Sequence, residues 1–363
     1  MSRSRSILVI GALLVAAACG ACSGSGTAAS SGASSDSPSG PLTIVGWGGI
    51  SDQASELFAK SFTESTGIQV DFQDNPGGQV AAIEAQNAAG QIKWDVADAI
   101  DQDQMLELAQ KGLLQRLPAS VTAKLQALMP GSVEPWGIKY GTLSNVIACN
   151  ADMVTHCPTT PAQFFNVKQF PGTRTLYSYD PLGALTMAAL ANGASPAHIF
   201  PINIDQAFQT LDRIKPTVKV LYQSGGQSEQ LFRTGEVSMG LLWNGRAYDL
   251  IRHPVAHLRL TTSWDGATYE PSVEVVLKGA PHLQAAYKYL EWIAAHPDIA
   301  AKYSDLTTYG FASAAALAKV TPSLRKWLPE SPANMAQEVT VDYSWYVAHL
   351  AEITAKWNNF ISG

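Results

Sequence analysis

The sequence predicts an α/β fold in which a mostly parallel sheet carries helices on its faces. Three observations lead there. Between residues 42 and 114, short apolar runs take turns with segments of helical period. The same alternation returns between residues 142 and 297. A content of 46% hydrophobic against 15% charged residues belongs to a chain that buries a core. A strand–helix–strand rhythm of this kind passes parallel strands through helical crossovers.

The chain opens with a leader. MSRSRS carries Arg3 and Arg5, the run Ile7–Ala18 is apolar, and Ala16, Ala17 and Ala18 stand directly before Cys19. The run is too short to span a bilayer, which needs ~20 apolar residues, and it reads as an export signal. The small residues before Cys19 resemble the lipobox of bacterial lipoproteins, whose cysteine is acylated and becomes the mature N-terminus. Cys22 fits less well, since Cys19 stands where an aliphatic residue is wanted. Arg3 and Arg5 are not adjacent, which argues against twin-arginine export. Ser23–Gly40 is nearly all Ser, Gly, Ala and Thr, a composition that makes a flexible tether. Outside the cytoplasm thiols tend to oxidise, so Cys149 and Cys157 are expected to pair across the "NADMVTH" turn.

About 320 residues remain after the tether, enough for two lobes. "LTIVGWGG" (42–49) reads as a buried strand, and "SDQASELFAKSFTESTG" as a helix capped by Ser51 and stopped by Gly67. "IQVDFQ" is a strand and "VAAIEAQNAAG" a helix. "WDVADAID" is a strand ending in Asp98 and Asp101, and "DQMLELAQKGLL" a helix closed by Gly112. Farther on, "TLSNVIACN", "TRTLYSYDP", "VKVLYQ", "VSMGLLWNG" and "SVEVVLKGAP" read as strands. "LGALTMAALANG", "IDQAFQTLDRIKP", "SEQLFRTGE" and "LQAAYKYLEWIAAHP" read as helices, and the tail from Pro322 is mostly helical.

Function classes narrow quickly. The 24 basic and 30 acidic residues give a net charge of −6 with no basic stripe, which argues against a nucleic-acid partner. "SLRK" (323–326) lacks the companion motifs of Ser-x-x-Lys enzymes. "HPVAH" (253–257) lacks the glutamate of a zinc protease, and Pro254 spoils its helix. "GWGG" and "NPGG" have neither the lysine nor the spacing of a phosphate loop. No metal or cofactor site is expected. What stands out is a set at the ends of strands: Trp47, Asp98, Asp180 and Trp243, with Arg246 just beyond. In open α/β sheets, ligands sit outside the carboxyl ends of the strands. An indole face attracts an ammonium group, and a carboxylate supplies a charge-assisted hydrogen bond. The competing explanation for the acids is that they cap the helices that follow.

The stretches "LTIVGWGG", "FAKSFTESTGIQVDF", "WDVADAIDQDQMLELAQKGLLQRL", "YGFASAAAL" and above all "TGEVSMGLLWNGRAYDLI" carry a family likeness. Over roughly residues 42–363 the chain resembles the solute-binding proteins of ABC importers, in the branch that includes the spermidine/putrescine-binding proteins. The resemblance implies a two-lobed periplasmic-binding-protein fold joined by a two-strand hinge, with lobe 1 at 42–143 plus 264–310 and lobe 2 at 144–263 plus 311–363. It places the hinge at "YGTLSN" (140–145) and "LTTSWDG" (260–266). It implies a small amine ligand, a membrane permease as partner, a monomer, and no enzymatic activity. Trp47 falls where family members set an aromatic on the amine, Asp98 at a short polar residue of the first lobe, Asp180 at the acid that holds an ammonium group, and Trp243 at the cleft tryptophan. The chain also departs from the pattern. Gly183 stands where a second acid of the second lobe belongs, and Glu270 and Ser272 replace a tryptophan and an aspartate. Glu270 or Glu274 then restores the lost charge, and Tyr140 at the hinge joins the ligand contacts. Arg246 is placed to greet a ligand carboxylate, so a diamine, a polyamine and an amino acid such as 4-aminobutyrate all remain open. An exported hydrolase using Asp98 or Asp180 as base, and a ligand-free surface scaffold, are the competing classes.

Overall fold

In the structure, a computed structural model, residues 41–75 and 77–362 are described. The leader, Cys19, Cys22 and nearly all of the tether lie outside them. The strands are β1 (Leu42–Gly46), β2 (Val70–Asp74), β3 (Val96–Asp101), β4 (Val133–Glu134), β5 (Gly137–Asn150), β6 (Arg174–Tyr177), β7 (Val218–Tyr222), β8 (Met239–Trp243), β9 (Leu260–Val276), β10 (Gly310–Phe311) and β11 (Val339–Thr340). The main order is β2-β1-β3-β9-β5-β8-β6-β7, with β4 and β10 on β5 and β11 on β9.

The flanks of this sheet are parallel: β1 with β2 and β3, and β6 with β7 and β8. The centre is not. Strands β5 and β9 run antiparallel to each other and to β3 and β8, so the sheet is mixed. A strand that arrives from the other half comes without the helical crossover that keeps neighbours parallel. Both strands do this. The start of β5 (Gly137–Lys139) pairs with Val273–Val275 beside β3, and its end (Asn145–Cys149) pairs with β8.

The crossing lies where Thr142–Asn145 faces Thr268–Pro271. This moves one expected hinge segment. Leu260–Ser263 pairs with Ile147–Asn150, well inside the second half, and the register slips across Trp264–Ala267. Gly266 has φ 72°, and a side chain there would strike Leu190 and Pro161. The strand continues past this irregularity to Val276, absorbing what the sequence divides into a turn and a new strand.

Each half has its own core. The helix Gly49–Thr66 buries Phe58 and Phe62, one turn apart, against Tyr289 and Trp292 of the helix Leu283–Ala295. Phe62 meets Tyr289 edge-on at 5.2 Å, and burying each such ring contributes ~1.5–3 kcal/mol. This helix starts two residues before the expected cap Ser51, because Gly48 and Gly49 accept positive φ and turn the chain early. Gly67, at φ 74°, ends it. Phe311 and Ala316 also pack in this first core, although their sequence position suggests the second half.

In the second half, the helix Leu182–Ala191 is buried on nearly all sides. It packs with Ile204–Ile214 and with the apolar stripe Tyr346, Ile353, Trp357 and Phe360 of the final helix Tyr343–Ser362. That last helix also touches Gln102–Gln110 of the first half. Cys149 and Cys157 form a disulfide with Cα atoms 5.8 Å apart. Closing so short a loop removes about 2–3 kcal/mol of unfolded-state entropy. The double variant Cys149→Ser/Cys157→Ser is expected to lose that much in denaturant unfolding, and a wild-type midpoint unmoved by reductant would refute it.

Candidate functional site

A cleft of about 400 Å³ opens between the two halves. Five βα turns line it: Trp47–Ser51 after β1, Asp101–Asp103 after β3, Tyr177–Gly183 after β6, Gln223–Gly226 after β7 and Trp243–Arg246 after β8. All sit at carboxyl ends of strands, where helix N-termini and their unpaired N–H groups also point. The crossing strands supply the floor through Gly141–Leu143, Asn145 and Glu270–Ser272.

One group of lining residues is acidic: Asp101, Asp103, Asp180 and Glu270. Asp180 Oδ1 accepts the Leu182 N–H at 2.9 Å and the Tyr346 hydroxyl at 2.6 Å. It therefore caps a helix and also faces the cleft. The final helix steadies its turn further, since Trp357 Nε1 donates to the Ser178 carbonyl at 2.7 Å. Glu270 Oε1 accepts from Asn145 Nδ2 at 2.6 Å.

These carboxyls crowd one another. Asp101 is the most exposed, yet the cleft walls still enclose it, and burial together with the Asp180 charge pushes it up to about 7. Burial also raises Asp180, against the opposing bonds from Tyr346 and Leu182. Asp103 and Glu270 are pushed well above the usual range, by burial first and then by their acidic neighbours. A cation in their midst would relieve all four.

Arg246 belongs to a separate cluster. Its Nη1 lies 3.3 Å from Glu229 Oε1, and its guanidinium sits 5.7 Å from the Tyr309 ring centre. Its buried Nε has no partner. A side chain at Gly225 would collide with Arg246, so glycine lets the guanidinium lie over the start of the helix Gly225–Arg233. Ser224 Oγ caps that helix by accepting from Gln227 N at 3.2 Å. Trp243 is braced by Tyr177 at 5.1 Å and Tyr222 at 6.0 Å, while Trp47 lines the cleft from the other half.

The structure thus gathers Trp47, Asp180, Trp243, Arg246, Glu270 and Ser272 in one cleft. Asp98, Tyr140 and Glu274 are not in its lining. Each is at most 2% exposed, buried on strands β3, β5 and β9 where these pair in the first half. The Tyr140 hydroxyl donates to Asp98 Oδ1. Asp98 is pushed up to about 7 by burial, opposed by Ser55, and its charge in turn helps push Glu274 upward. The cause is local. Ala99 has φ 55°, and the pairing of β3 with β9 slips between Ala97 and Ile100. That slip breaks the alternation, so Asp98 faces inward while Asp101 and Asp103 reach the cleft. Sequence reasoning noted Asp101 at a strand end without selecting it. It missed Asp103 and Asn145, and it missed Tyr343, which arrives from the far end of the chain.

Comparison with known proteins agrees with this geometry. Residues 58–335 match the family model described as bacterial extracellular solute-binding protein. A gamma-aminobutyric acid-binding protein of Pseudomonas aeruginosa is 29% identical over 326 residues, covering 87% of this chain and 90% of that one. The solved structure of a GABA receptor is 30% identical with a TM-score of 0.81, covering 88% and 97% of the two chains. A substrate-binding protein of an ABC transporter from Bradyrhizobium japonicum is 28% identical with a TM-score of 0.80, covering 89% and 99%. No helix among the described residues is long and apolar enough to cross a membrane. The chain belongs to the bacterial extracellular solute-binding protein family and is the solute-binding component of an ABC transporter.

Proposed function

We propose that the protein captures a small ω-amino acid of the 4-aminobutyrate class. The observation that carries this reading is the division of charge within one cleft. Asp101, Asp180 and Glu270 act electrostatically on one another, whereas Arg246 acts on Glu229 and Tyr309. The ligand's ammonium group would sit among the carboxyls, with Trp47 or Trp243 as an apolar face. Its carboxylate would meet Arg246 and the N–H groups that open the helix Gly225–Arg233. The names of the two GABA-binding relatives support the same class. A polyamine is the second reading, favoured by the surplus of carboxyls over the one paired arginine.

In this reading the two halves close about the crossing of β5 and β9, and the ligand favours closure only by its greater affinity for the closed state. The monomer is held to the membrane by an acylated Cys19 and hands its ligand to the permease. Calorimetry with 4-aminobutyrate, putrescine and spermidine tests the ligand class. The expected result is stoichiometric binding of 4-aminobutyrate, with stabilisation of about 2.7 kcal/mol at a hundredfold excess over Kd. Binding of putrescine or spermidine but not 4-aminobutyrate would select the polyamine, and binding of none of the three would reject the amine class.

A further inference from the structure

We propose that Asn145 is a positioning residue that holds Glu270 toward the cationic group of the ligand, and that Gly183 is glycine in order to make room for it. The proposal deepens the amine-ligand reading and rests on it. Asn145 and Glu270 sit on the two crossing strands. In the register Asn145 faces Thr268 and Leu143 faces Glu270, so Asn145 and Glu270 are diagonal neighbours. Both line the cleft from one face of the sheet, and a long side chain spans such a diagonal.

The Asn145 Nδ2–Glu270 Oε1 hydrogen bond is short, 2.6 Å. It is the one side-chain hydrogen bond that Glu270 receives among the described residues, and no Lys or Arg there pairs with it. The groups facing Glu270 are Asp180 and Tyr177 from the β6 turn, Asp101 and Asp103 from the β3 turn, Tyr222 at the end of β7, and Tyr343 and Tyr346 from the final helix. The three acids disfavour its charge, and the Asn145 amide is what opposes them.

Gly183 completes the arrangement. A Cβ there would lie 2.9 Å from Asn145 Nδ2 and 3.0 Å from its Cγ. Real Cβ atoms scarcely tolerate such contacts, and Asn145 is only 7% exposed, so it has little space to retreat. The Gly183 backbone is helical, without positive φ, so conformation does not demand glycine there. Space does.

The test has a ligand-free arm and a binding arm. Carboxyl ¹³C NMR titration of the unliganded protein follows Glu270 directly. Asn145→Leu is expected to raise its midpoint by about one pH unit, the equivalent of ~1.4 kcal/mol. Calorimetry with 4-aminobutyrate and putrescine should then show a loss of about tenfold at pH 7. That loss should shrink as pH rises and Glu270 ionises unaided. Paired with Glu270→Gln, the Asn145→Leu change should cost almost nothing further. Should Asn145→Leu fold poorly, Gly183→Ala displaces the same amide and should move the same midpoint. An unmoved midpoint, or losses that add to those of Glu270→Gln, would overturn the proposal. A shifted midpoint in a protein that binds neither amine would uphold the Asn145–Glu270 linkage and reject the amine ligand.

Discussion

Asp180→Asn is expected to weaken binding of an amine ligand by about a hundredfold, roughly 3 kcal/mol, with the fold intact. The substitution is chosen for what it keeps. The asparagine oxygen still accepts from the Leu182 N–H and the Tyr346 hydroxyl, so the helix cap and the tie to the final helix survive. What it removes is a charge that no cation among the described residues pairs with. Losing one partner of an enclosed charge pair leaves the ligand's ammonium group desolvated and underpaid by hydrogen bonds. Part of the loss comes back from the neighbours. The Asp180 charge pushes Asp101, Asp103 and Glu270 upward, and without it they ionise more readily. Asp180→Ala would mix this effect with the loss of a cap, which costs ~0.5–2 kcal/mol. Calorimetry on the asparagine variant decides the matter: an affinity within twofold of wild type would place the ammonium group elsewhere.

Much of the candidate cleft lining was legible because the rule behind it is topological. Carboxyl ends of strands in an α/β sheet converge on one side, so Trp47, Asp180, Trp243 and Arg246 could be picked from strand ends alone. The errors have local causes. Asp98 and Asp101 compete for the end of one strand, and only the positive φ of Ala99 decides which faces the cleft. Glu270 and Glu274 both lie on β9, but only Glu270 lines the cleft, and Glu274 is buried. Asn145 sits in a run that reads as a plain strand; the family likeness sets the hinge at 140–145, but nothing in "TLSNVIACN" reveals that this side chain lines the cleft. Tyr343 and Tyr346 reach the site through a helix that packs on it from the chain's end, a contact no local pattern encodes. The parallel order expected within each lobe holds on the flanks, and the antiparallel centre is made by the two strands that cross between the halves, a direction that periodicity does not report.

The buried carboxyl of Asp52 leads to a stability prediction with a definite sign. Asp52 lies in the first turn of the helix Gly49–Thr66, 3% exposed, and neither of its oxygens has a hydrogen-bond partner among the described residues. Gly46 is glycine where a side chain would collide with the carboxyl. Burial chiefly, then the neighbouring Asp74 and Asp98, pushes Asp52 up to about 8 from 3.8. Below pH 4 the group is neutral whether the chain is folded or not, so it contributes nothing. Between about 4 and 8 the unfolded chain gives up its proton first, and the folded state holds one more. Stability contributed by this site therefore falls as pH rises, and the loss is complete above about 8. Asp52→Asn removes the titration and gives the side chain an N–H for Asp74. It should leave stability nearly unchanged at pH 4 and raise it by about 2 kcal/mol at pH 8. Denaturant unfolding at both pH values measures the difference. A gain equal at the two, or larger in acid, would mean that Asp52 is ionised in the folded protein and that an unseen partner balances its charge.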